Sequence, residues 1–140
     1  MSRSTPNMLA FAQRLIAYEG NGNKRSGTNA PAAFGGVVEK LRGPLAALAG
    51  VSGFRSLLSR ALALANGEVH WLRAVHIKAD GSLECPAEMA QLDKEEIANG
   101  EVVLIAYLLG LLVTFIGEAL TLRLLQDAWP GKYLNDFDSS

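Results

Sequence analysis

The chain is nearly free of cysteine, and Cys85 stands alone. A single thiol excludes an internal disulfide and reads as a reducing compartment, so the cytoplasm is the expected location. Neither charge is in excess: 13 basic residues against 14 acidic ones leave a formal net charge of −1. Proteins that hold DNA or RNA need a basic face, so no nucleic-acid partner is expected. Histidine is scarce as well. His70 and His76 fall on either side of a change in hydrophobic period rather than at the i, i+4 spacing of a helical metal pair, and Cys85 adds no second spacing element. No metal and no cofactor is expected. The glycine-rich loop 20–30 carries Lys24 and Arg25, yet no strand precedes it and the Lys-Ser/Thr ending of a phosphate loop is missing. A secretion signal is not expected either, since Gln13 and Arg14 interrupt the apolar stretch Met8–Ala17. With no nucleophile and base paired by spacing, no catalytic residue is assigned, and an enzyme is the least supported class.

Apolar residues, by contrast, are abundant. They make up 49% of the 140 residues, and the mean hydropathy is +0.16. A chain of this length buries about two thirds of its unfolded surface in one core, so residues 1–140 are expected to form a single helical domain. The stretch from Gly100 to Trp129 dominates it. No charge lies between Glu101 and Glu118, and no proline interrupts before Pro130. Its Leu- and Ala-rich composition predicts one unbroken helix, apolar on every side from Val102 to Gly117 and hence buried in the middle of a bundle or in lipid. The charge-free run extends only about 24 Å as a helix, short of the roughly 30 Å of a bilayer core. Extending a span over 102–122 would place Glu118 in hydrocarbon. Burial in protein is therefore the favoured expectation.

Along this helix Val103, Tyr107, Gly110, Thr114, Gly117 and Thr121 follow a four-three spacing and share one seam. Small residues there allow close approach by another helix, either of the same chain or, with Val103, Gly110 and Gly117 as the interface, of a second copy. Glu118 borders the seam in an apolar setting, where a carboxylate needs a partner. Arg14, Arg42, Arg55 and Arg60 are the candidates for an ion pair. Alternatively Glu118 joins Tyr107, Thr114 and Thr121 around a small-molecule pocket.

Upstream, Thr5-Pro6 starts a helix over about 6–19 with Met8, Phe11, Ala12, Leu15 and Tyr18 on its apolar face. A second helical region covers 31–49, with Phe34, Val37, Val38, Leu41, Leu45 and Leu48 facing inward, a kink expected at Gly43-Pro44, and Gly50 as its end. A third runs from Ser52 with periodicity lasting to Leu72, although Asn66-Gly67 offers an end or a bend; its Arg55 and Arg60 read as solvated charges, with a modest basic patch as the alternative. Val75 and Ile77 then alternate with polar residues ahead of an Ala-Asp-Gly-Ser turn, the pattern of a short hairpin. A brief helix is expected over 86–92. The Asp93–Glu96 capping box either starts the long helix early or, as the favoured reading, opens a short turn to Ala98 with Asn99 capping the main helix afresh; residues 131–140 are read as a tail.

The expectation is thus a mostly all-α fold, a four- to five-helix bundle around the long C-terminal helix, with room for one β-hairpin near 74–84. The leading functional expectation is a non-enzymatic, self-associating interaction or regulatory module, a homodimer. The alternatives are a sensor with a pocket beside Glu118 and a membrane protein with a single span at 102–122.

Overall fold

The computed structural model describes residues 9–16, 36–79, 81, 83–84 and 91–128. The fold is mostly α-helical with one small antiparallel hairpin. Helix α1 covers the described residues 9–16. Helix α2 is Gly36–Asn66 and is followed by a 3-10 turn at His70–Ala74. Strands β1 (His76–Ile77) and β2 (Leu83–Glu84) form the hairpin, and helices α3 (Lys94–Ile116) and α4 (Glu118–Ala128) complete the bundle.

Apolar periodicity explains the packing. In α1, Phe11, Ala12 and Leu15 are buried, while the Arg14 guanidinium lies over the Phe11 ring at 5.4 Å. In α2, Val37, Val38, Leu41 and Leu45 face the core before the bend, and Phe54, Leu58, Ala61, Leu62 and Ala65 do so after it. The bend falls at Gly50, the expected end of the first segment, and not at Gly43-Pro44. Gly50 has φ 82 and ψ 162, a conformation open to glycine and costly for any side chain. Pro44 stays within the helix, and the Lys40 residue whose carbonyl it leaves without a helical donor is exposed to solvent. Leu48, expected on the inner face, is exposed just ahead of this bend. Helix α2 ends at Asn66, the end that Asn66-Gly67 offers, although the apolar periodicity lasts to Leu72. Turn hydrogen bonds from Gly67 to Leu64 and from Glu68 to Ala65 close it, and the chain tightens into the 3-10 turn.

The hairpin pairs His76 with Glu84 and Ile77 with Leu83. A hairpin this short is not stable alone; Val75 is buried, and Ile77, Leu83 and Trp71 pack against the core.

Helix α3 begins earlier than expected. Asp93 is its N-cap, accepting from the Glu96 N–H at 2.8 Å, while the Glu96 carboxylate accepts from the Asp93 N–H at 3.1 Å. The box therefore opens the main helix directly, and Asn99 lies within it rather than capping it. From Val103 to Leu112 nearly every side is buried, and the helix packs chiefly along α2. The rod is not continuous to Trp129, however. Gly117, at φ 90 and ψ 160, divides it into α3 and α4. The Gly117 N–H still bonds to the Val113 carbonyl at 2.9 Å, and the next segment restarts with Thr121 N–H on the Gly117 carbonyl at 3.1 Å. Two contacts orient the layers: Tyr107 meets Glu68 just beyond the end of α2, and the Lys40 ammonium near its start donates to the Ala128 carbonyl at 3.2 Å. The α3–α4 unit thus runs antiparallel to α2. The expected helix limits outside 9–16, loop 20–30, the helix over 86–90 and the tail 131–140 lie outside the described residues.

Candidate functional site

The seam of α3 and α4 divides on folding. Val103 and Gly110 are buried by this chain itself, Tyr107 is half-buried, and Thr114 and Gly117 are exposed. The threonine hydroxyls turn back onto their own helices: Thr114 donates to the Gly110 carbonyl at 3.0 Å, and buried Thr121 donates to the Gly117 carbonyl at 2.7 Å. Hydroxyls spent on i−4 carbonyls in this way are poorly placed to receive a ligand. Glu118 is exposed in the first turn of α4, where its charge favours the helix N-terminus. It is neither deep in the core nor in an ion pair with Arg14, Arg42, Arg55 or Arg60 among the described residues. The break at Gly117 is the reason, because it carries the following turn out of the apolar layer.

Tyr107 has a more definite role. Its hydroxyl donates to the Glu68 carboxylate, tying α3 to the turn that ends α2. That hydrogen bond, then burial, then the Glu68 charge hold the phenol above its ordinary pKa of 10.0.

Among the described residues the carboxylate that does lie in the core is Glu101, only 2% exposed and not without a partner. Reading it as a polar flank of the apolar run missed it. A signal was present: Leu104, Ile105 and Leu108, three, four and seven residues on, share its face of the helix and are all fully buried.

Two adjoining clefts open on the outer side of α2. The smaller, about 290 Å³, lies between that helix and β1 and is lined by Arg55, Ser59, Leu62, Val75, His76 and Ile77. The larger, about 550 Å³, is lined by Ser52, Arg55, Ser56, Ser59, Arg60 and Ala63. Arg55 and Ser59 belong to both. Among the described residues no cluster of three or more His, Cys, Asp or Glu side chains is placed to hold a metal ion; Cys85 lies outside them.

Large apolar side chains are exposed beside both helix breaks. Leu48 and Val51 flank Gly50, each 47% exposed, and Phe115 (58%) and Leu120 (38%) flank Gly117. Comparison with known protein families, with curated proteins and with solved structures finds no match to this chain.

Proposed function

We propose that this chain is a non-enzymatic interaction module that associates with a second copy of itself, and that the apolar side chains at its two helix breaks make the contact. The observation that carries this reading is their grouping. Isolated exposed leucines are ordinary on any protein surface, and Leu64 is one; the other four large apolar residues exposed among the described residues stand in pairs around Gly50 and Gly117, with Phe115 the most exposed of them. Val103 and Gly110, expected at the interface, are already covered within the chain, so of the three expected positions only Gly117 belongs to this surface. Residence in the cytoplasm is part of the same proposal and rests on the lone cysteine. Light scattering across a concentration series tests it. The expected result is a dimer that dissociates on dilution and is abolished by Phe115→Asp with helical content intact. A strict monomer at every concentration overturns it.

A single bilayer span is the second reading, and one observation favours it. Within Glu95–Ile116 a window reaches a mean hydropathy of 2.0, long and apolar enough to cross a bilayer by length and composition. Against it, 67% of that window is buried inside the molecule, as in the core helix of a soluble bundle, and the break at Gly117 falls inside the 102–122 segment. Retention in membranes after carbonate extraction would favour this reading over the first. No comparable observation supports the pocket around Tyr107, Thr114, Glu118 and Thr121.

A further inference from the structure

The clefts on α2 have a chemistry that self-association leaves unused. Counting about 100° per residue, Ser52, Ser56 and Ser59 lie along one stripe of the helix, with Arg55 to one side and Arg60 to the other. All five are exposed. Among the described residues neither arginine has a carboxylate partner, and none of the three serine hydroxyls has a hydrogen-bond partner. The stretch from Leu41 to Gly67 contains no Asp or Glu at all, so the stripe's own helix supplies no counter-charge. On the Arg55 side, β1 brings up His76 as a second wall over an apolar floor of Leu62 and Val75. Glu84 stands opposite His76 across the hairpin and offsets part of this charge, but it does not line either cleft.

We propose that this serine stripe, flanked by Arg55 and Arg60 and bounded by His76, is a binding site for an oxyanion of the phosphate class, borne by a small phosphate ester or by an anionic lipid headgroup. Guanidinium groups bind such anions through paired, charge-assisted N–H bonds, and hydroxyls supply further neutral donors. The cleft offers these donors, and none of its described lining residues is a carboxylate. This site is independent of the dimer contact, because it uses none of the side chains at the two helix breaks.

The test is amide chemical-shift mapping of the full chain titrated with inorganic phosphate at constant ionic strength. The expected result is a saturable response confined to Ser52–Ala63 and Val75–Ile77. Arg55→Gln and Arg60→Gln should each weaken binding about tenfold, the loss of one charge-assisted contact, while leaving the melting temperature unchanged. Flotation with phosphatidylcholine vesicles, with and without phosphatidic acid, separates the two sources. Flotation that needs phosphatidic acid and is lost in Arg55→Gln assigns the headgroup, whereas a phosphate response without flotation assigns the soluble ester. A response that never saturates, that spreads over the whole surface, or that survives in the Arg55→Gln, Arg60→Gln double variant overturns the proposal.

Discussion

Gly100→Ala sets two opposing effects against each other at one position. Gly100 lies inside α3, where replacing glycine by alanine ordinarily stabilises a helix by about 1 kcal/mol. Here a Cβ would overlap one Trp71 ring carbon and stand 3.0 Å and 3.2 Å from two others. The ring is not free to swing away, because its Nε1–H donates to the Glu96 carbonyl at 3.3 Å and it packs against the core. Either the indole moves and that bond, worth about 1 kcal/mol, is lost, or the helix and the 3-10 turn separate at the roughly 1–3 kcal/mol of an overpacked site. Subtracting the propensity gain leaves a net destabilisation of between zero and about 2 kcal/mol. For a domain of this size that is a fall in Tm of up to roughly 8 °C. Thermal and urea unfolding followed by circular dichroism measure it. In a Trp71→Leu background the obstruction is gone, and the same substitution should then stabilise by up to about 1 kcal/mol. A rise in Tm for Gly100→Ala in the otherwise native chain would refute the close packing of Trp71 on α3.

Three further expectations follow from the same geometry. Gly50→Ala and Gly117→Ala should each cost about 1–3 kcal/mol, since both positions hold backbone conformations that side chains resist. Gly43→Ala, with open space around it and no positive φ, should stabilise by up to about 1 kcal/mol; urea midpoints moving in opposite directions confirm the contrast. Tyr107 has a raised pKa in the folded chain, so its stabilisation is complete below the ordinary tyrosine value and is lost as pH rises through the folded one. The phenolate absorbance missing from Tyr107→Phe should therefore titrate above pH 10.0, and a component at or below that value contradicts the Glu68 bond. Glu118→Gln should change stability by less than about 0.5 kcal/mol, as exposed positions do, whereas Glu101→Ala should cost about 2–4 kcal/mol through a lost buried interaction and the space it vacates. Equal effects at the two carboxylates would contradict the burial of Glu101 against the exposure of Glu118.

Local chemistry alone determined a good deal of this protein. The helical class, the apolar faces of α1 and, Leu48 apart, of α2, the short hairpin and the burial of the long helix as far as Leu112, though not on to Gly117, all follow from periodicity and turn residues, because each depends on neighbours a few positions away. The capping box was equally visible at Asp93 and Glu96, although the helix it opens proved to be the main one rather than a separate turn. The break at Gly50 was legible as a helix end, but what only the tertiary structure decided is that the last rod bends and which polar groups end up inside. A glycine in a helix is tolerated with or without a bend, so Gly117 becomes a break only when packing on both sides favours the turn away from the axis. That choice brings Glu118 into solvent and exposes Phe115. The clefts beside Arg55 were hidden for a related reason: two arginines and three serines on a helix read as a solvated face until β1 is folded against them, and that contact joins positions some 20 residues apart in the chain.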